Sequence, residues 1–181
     1  MLWLLFAFGS AFFAGITAVL AKIGMEKIDS TLATALRTIV VLAFSWLMVF
    51  IVGSQNQIGE ISGRTLCFLV LSGLSTGASW LCYFHALQLG DVNKVAPIDK
   101  SSTVLTILFA FLLLGEPVSA AKMIGILGIG TGTLLMIARK GGDKNQVRSR
   151  SWLLFAVLSA VFASLTSIFG KIGVENIESN L

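Results

Sequence analysis

The chain has 181 residues, of which 56% are hydrophobic and only 12% are charged, and its net charge is +4. This composition excludes a water-soluble globular domain, because a soluble core of this size cannot bury so large an apolar share. The basic residues stand at the ends of apolar runs, mostly between Arg139 and Arg150, and form no stripe typical of nucleic-acid binding. We expect an all-α integral membrane protein whose partner is the lipid bilayer, with no nucleic acid.

Six apolar stretches follow one another along the chain, each near the roughly 20 residues that a helix needs to cross a bilayer. They are Trp3–Ala21, Leu32–Val52, Thr65–Leu89, Val95–Leu114, Ala120–Ala138 and Trp152–Gly170. Gly115 and Glu116, followed by Pro117, end the fourth stretch in the manner of a helix C-terminus. We therefore expect a structural role for Gly115.

The first span and its flank occur twice in the sequence. Residues 3–32 recur as residues 152–181, with about 17 of the 30 positions identical. The chain crosses the bilayer five times between Trp3 and Trp152, so the second copy must cross in the opposite direction to the first. The sequence thus divides into a five-helix repeat (residues 1–138), a basic linker (139–151) and the first helix of a second, inverted repeat (152–181). Inverted repeats are typical of alternating-access carriers.

Lysine and arginine predict which loops face the cytoplasm. They are most frequent after the first, third and fifth spans, above all in the linker between Arg139 and Arg150. The positive-inside rule then makes the odd-numbered loops cytoplasmic and puts the N-terminus outside. The expected location is the cytoplasmic (inner) membrane.

Five segments carry a family resemblance: TAVLAKIG (17–24), ATALRT (33–38), WLCYFHALQLGDVNKVAPIDKSS (80–102), LLLGEPVS (112–119) and IGILGIGTGTLLM (124–136). They are similar to EamA-type members of the drug/metabolite transporter superfamily. The resemblance implies two inverted five-helix repeats and secondary transport, often export, of small metabolites. It also implies a structural role for Glu116 in LLLGEPVS. Ten-helix relatives are usually drawn with both termini in the cytoplasm, which is opposite to the orientation that the charges indicate, and we follow the charges.

Two functional hypotheses follow. The first is a secondary transporter that exports a small metabolite by alternating access, with no cofactor; the sequence lacks the G-x-x-x-x-G-K-[ST] loop of ATP-driven proteins. The alternative is a truncated or non-transporting membrane subunit that acts only by helix–helix association. Besides the small-molecule solute, the expected partner is a second copy, since smaller four-helix relatives are antiparallel dimers, or a C-terminal half.

The third and fourth spans hold the candidate residues of the substrate path. At 100° per residue, Thr76, Ser79, Trp80 and Tyr83 share one face of the third helix, which suits either a solute cavity or aromatic packing. An ionisable group within a span is costly and usually functional. An acid in the first turn after a proline would also cap a helix without any transport role. On the fourth span the substrate-path candidates are Asp99, Lys100, Ser102 and Thr106, and Pro97 is expected to have a structural role.

Three further side chains are candidates for a proton or charge role. His85, the only histidine, points away from the aromatic face, either as a proton carrier or as a packed, hydrogen-bonded side chain. Lys22 and Arg37 lie near helix ends, where a long side chain reaches the interface or attracts an anion.

Glycines four residues apart allow two membrane helices to approach closely. Such pairs are Gly73 with Gly77 and Gly128 with Gly132. The first pair also completes a G-x-S-x-G motif around Ser75, but a nucleophile elbow needs a strand before the serine. On one helix Ser75 and His85 would be about 15 Å apart, too far for proton transfer. We expect neither an enzyme nor a metal site.

Overall fold

The computed structural model describes residues 2–24, 28–53, 55, 59, 61–138 and 151–174, and the regular structure of these ranges is helical. The helices are α1 (Leu2–Gly24), α2 (Ser30–Val52), α3 (Gly63–Leu89), α4 (Val92–Lys100), α5 (Ser102–Leu114), α6 (Ala120–Ala138) and α7 (Ser151–Gly173). With α4 and α5 taken as one unit, six helices within these ranges are long and apolar enough to cross a membrane. The all-α fold and the six predicted spans are confirmed. The linker from Arg139 to Arg150 and the end of the second copy lie outside the described residues.

Local sequence explains where the helices begin and end. The Asp29 carboxylate accepts a hydrogen bond of 2.8 Å from the Thr31 N–H at the start of α2. This bond lowers the pKa of Asp29. Gly115 ends α5 with a φ of +66°, a left-handed conformation that costs glycine little. The Glu116 N–H then reaches the Ala110 carbonyl at 3.3 Å, which confirms the helix-ending role of Gly115.

The predicted start of the fourth span at Val95 is wrong. The Asp91 carboxylate accepts from the Asn93 N–H at 2.9 Å, so α4 already begins at Val92. Pro97 therefore lies inside α4, and the span is interrupted at Ser101. Asp99 occupies the last turn of α4, which excludes the N-terminal capping role considered for it.

Contacts along α3 fix the directions of its neighbours. Lys22, near the end of α1, donates to the carbonyls of Leu87 and Gly90 at 2.5 and 3.0 Å, so α1 runs parallel to α3. A Cβ added at Gly90, just past the end of α3, would lie 3.1 Å from Trp152 at the start of α7. One added at Gly173, the last residue of α7, would lie 3.3 Å from Leu69 near the start of α3. Hence α7 is antiparallel to α3, and the two copies of the repeat run in opposite directions.

The core lies where α3, α4 and α7 meet. Its buried members are Tyr83, Phe84, Ala86, Leu87, Val95, Ile98 and Ala156. In contrast, the most apolar stretches of α1, α2 and α6 have no residue buried among the described parts of the chain. These outer helices present large apolar side chains that a bilayer would cover, as expected for a membrane protein.

Close packing of α7 on α3 should depend on the absence of a side chain at Gly173. We expect Gly173→Leu to lower the free energy of unfolding in detergent by about 1–3 kcal/mol, because the new side chain must displace Leu69 and Phe68. Thermal unfolding monitored by circular dichroism measures the effect. The matched control is Gly125→Leu on α6, where nothing lies within 4 Å. Equal losses in the two variants would contradict the packing described.

Candidate functional site

A row of hydroxyl groups joins α3 to α7. Ser72 Oγ donates to the Thr166 carbonyl at 2.9 Å, and Thr76 Oγ1 donates to Thr166 Oγ1 at 3.3 Å. Ser79 Oγ donates to the Ser159 carbonyl at 3.0 Å. We call these five residues the hydroxyl seam. Small hydroxyl residues suit such a contact, because they let two helices approach while bonding across the interface.

The seam continues to the buried carboxylate of Asp99, which is 7% exposed. The Ser159 hydroxyl donates to Asp99 Oδ1 at 2.5 Å. The Lys100 ammonium donates to Asp99 Oδ2 at 3.1 Å. Both carboxylate oxygens therefore have a donor, which is what a charge far from water requires. Asp99 thereby links α4 to the α3–α7 interface.

A cavity of about 230 Å³ lies among α1, α2, α3 and α4. It is lined by Ala14, Thr17, Ala18, Arg37, Trp80, Tyr83 and Lys100. The Arg37 guanidinium carbon lies 3.5 Å from the centre of the Trp80 ring, a cation–π contact. The rings of Trp80 and Tyr83 meet edge to face at 5.5 Å. Three helices thus contribute an aromatic wall and two cations, and α1 contributes three small side chains.

The structure divides the predicted substrate-path residues between these two places. Trp80, Tyr83 and Lys100 line the cavity. Thr76 and Ser79 bond to α7 in the hydroxyl seam, although they share a helix with the aromatic pair. The half-buried residues Ser102 and Thr106 lie on α5 and are not part of the cavity lining. Ser159 and Thr17 were not predicted as site residues. The alignment of the two repeats pairs Ser159 with Ser10 and Thr166 with Thr17, and this shared polar pattern was the signal in the sequence.

The residues proposed for charge roles have separate environments. Arg37 does not extend to a membrane interface, because its guanidinium lies against Trp80. Lys22 binds the carbonyls at the end of α3, a favourable place for a cation near the helix dipole. His85 packs its ring edge to face on Phe155, with 4.4 Å between centres.

The predicted close-packing glycines are not covered by another described residue. A Cβ added at Gly73, Gly77, Gly128 or Gly132 would meet nothing within 4 Å in the part of the chain that the structure describes. The close approach occurs instead at Gly170 and Gly173 of α7.

Glu116, in the turn after α5, forms ion pairs with lysines of two other helices. Its carboxylate pairs with Lys122 at 3.3 Å and with Lys171 at the end of α7. Glu116 therefore connects the end of α5 with α6 and α7. The repeat counterparts Lys22 and Lys171 therefore bind different groups.

Neither a metal cluster nor a disulfide appears within the described ranges. No group of three or more His, Cys, Asp or Glu side chains there is placed to hold a metal ion. Cys67 and Cys82 are both free and lie on α3.

Together these features define a multi-pass membrane protein with a cavity lined by aromatic, basic and small side chains among its helices. The model of the EamA-like transporter family matches residues 1–138, and the chain belongs to that family. It is also similar to a protein from Sinorhizobium sp. described as an uncharacterized transporter in the cobO 3′ region. The two are 47% identical over 134 residues, which are 74% of this chain and 95% of that relative. No solved structure matches the chain.

The Ser159 hydroxyl should contribute to stability through Asp99. We expect Ser159→Ala to lower the free energy of unfolding by about 1–3 kcal/mol, since a buried carboxylate oxygen then loses its hydroxyl donor. The control is Ser167→Ala, whose exposed hydroxyl bonds only to the Ala163 carbonyl of its own helix. It should change stability by less than about 0.5 kcal/mol. Chemical unfolding in detergent measures the free energy of unfolding of both variants. An unchanged free energy of unfolding in Ser159→Ala would contradict the role assigned to Asp99.

Proposed function

We propose that the protein is a secondary transporter that exports a small metabolite, with the cavity beside Trp80 as its solute site. One observation carries this proposal: Arg37, Trp80, Tyr83 and Lys100 come from three spans and surround one cavity within the membrane-spanning bundle. Aromatic walls with a few polar groups are the usual lining of small-molecule sites. Family membership supports transport; the direction, the solute and the mechanism are our inferences.

Alternating access would use the inversion of the two repeats. α7, the first helix of the second repeat, docks on α3 through Ser159 and Thr166. The corresponding residues of α1, Ser10 and Thr17, are exposed. By the same geometry, α1 would dock on the third helix of the second repeat. Rocking of one repeat against the other would then open the cavity to each side in turn.

A second repeat explains the exposed face of α1 better than a homodimer does. In a second copy of this chain, the seam on α3 is already filled by that copy's own α7. We therefore propose the remaining helices of a second EamA repeat as the partner, with a homodimer as the alternative.

The alternative function, helix–helix association without transport, is favoured by the uncovered glycines. Gly73 and Gly77 on α3, with Gly128 and Gly132 on α6, leave two close-packing surfaces open. A membrane subunit would use these surfaces to bind its partner.

We propose the inner membrane as the location, with the odd-numbered loops in the cytoplasm. The basic residues between Arg139 and Arg150 support this orientation, because positively charged loops are retained on the cytoplasmic side.

Transport should depend on the aromatic wall of the cavity. In vesicles that contain the complete protein, one of a panel of labelled amino acids, organic acids and amines should exchange across the bilayer. We expect Trp80→Ala to slow that exchange about tenfold or more, since the solute loses its largest apolar contact. Changes at Tyr83 and Asp99 should act in the same direction.

The matched control is Trp46→Ala on α2, whose ring contacts Phe50 away from the cavity. It should leave the rate and the membrane abundance unchanged. Full exchange by Trp80→Ala would show that the solute site is elsewhere. A protein that moves no member of the panel but still associates through its helices would favour the membrane-subunit alternative.

A further inference from the structure

The cavity contains more positive than negative charge. Arg37 and Lys100 both line it, whereas Asp99, the carboxylate that pairs with Lys100, lies behind the lining and is buried. Asp99 is also held by the Ser159 hydroxyl at 2.5 Å. The charge of Lys100 is therefore matched by Asp99, whereas no described carboxylate pairs with Arg37.

Arg37 has no carboxylate partner among the described residues, and its guanidinium rests on the Trp80 ring. It is the eighth residue of α2, roughly 10 Å along the axis from the start of that helix. A cation at such depth is costly unless it faces a cavity or finds a counter-ion. The guanidinium offers a planar set of N–H donors that matches a carboxylate. An anion in the cavity would supply the missing partner.

The remaining lining fits the apolar part of such an anion. Trp80 and Tyr83 form an aromatic wall, and Ala14 and Ala18 of α1 add small apolar surfaces. No described residue forms a hydrogen bond with the Tyr83 hydroxyl. The volume of about 230 Å³ is below the roughly 300–1,000 Å³ of sites for drug-sized ligands. The solute is therefore of metabolite size.

From these observations we infer that the cavity binds a small organic monoanion, with its carboxylate beside Arg37 and its apolar body on Trp80 and Tyr83. This inference rests on the proposed function, because it names the class of solute for the same site. Lys100, already paired, adds positive potential, and Arg37 provides the bidentate contact that distinguishes the charged form of the solute.

Three probes of nearly equal size and shape test the inference: phenylacetate, phenylacetamide and phenethylamine. Calorimetric titration of the purified complete protein should give phenylacetate about tenfold tighter binding than phenylacetamide, and no measurable binding of phenethylamine. Arg37→Gln should reduce the preference for phenylacetate over phenylacetamide to less than about threefold. Arg37→Lys keeps the charge and should retain part of the preference, which separates loss of charge from loss of folding. Lys94→Gln removes a lysine outside the cavity and should leave the preference unchanged.

Binding of the amide or amine as tightly as the carboxylate would overturn the inference, as would failure of phenylacetate to bind. So would an unchanged preference in Arg37→Gln. Flux of phenylacetate into vesicles is measured separately. Arginine-dependent binding without flux would support the anion site and contradict the transport proposal. Equal flux of all three probes would support transport and contradict the anion site.

Discussion

Buried polar groups inside the helix bundle need hydrogen-bond partners from the protein, because no water reaches them, and the rest of the structure depends on this requirement. Asp99 is the group for which this need is greatest, and its two oxygens are bound by Ser159 of α7 and by its neighbour Lys100. The hydroxyl seam extends the same principle along α3. Because α3 supplies donors at Ser72, Thr76 and Ser79 and α7 supplies the acceptors, these bonds require the register and direction in which α7 packs. The packing of α4 and the shape of the core follow from this interface.

The two copies of the repeated segment have different roles because their surroundings differ. α7 is packed between α3, α4 and α5, whereas α1 lines the cavity and exposes Ser10, the counterpart of Ser159. Lys22 binds the carbonyls at the end of α3, and its counterpart Lys171 pairs with Glu116. Two helices of similar sequence therefore have different positions: α7 packs inside the bundle, and α1 forms one wall of the cavity. Such a division is compatible with a carrier whose two repeats move relative to each other.

Periodicity and composition were enough to predict the six spans, the glycine at the end of α5 and the aromatic face of α3. These features depend on local chemistry: apolar length, a left-handed glycine and a 100° repeat. The start of α4 was mispredicted because the apolar run hides the capping by Asp91, whose effect is visible only in its bond to Asn93. The Ser159–Asp99 bond and the inward position of Arg37 depend on which helices meet, and a single sequence carries little information about that.

The opposite directions of α1 and α7 are the central claim, and labelling of matched cysteines tests them most directly. Leu4 and Leu153 are repeat counterparts with nearly equal exposure, 42% and 41%. Each would be changed to cysteine in a protein that also carries Cys67→Ser and Cys82→Ser. With a membrane-impermeant maleimide on intact cells, we predict labelling of Leu4→Cys alone, and labelling of both after the membrane is permeabilised. Equal labelling of the two positions in intact cells would contradict the inverted arrangement.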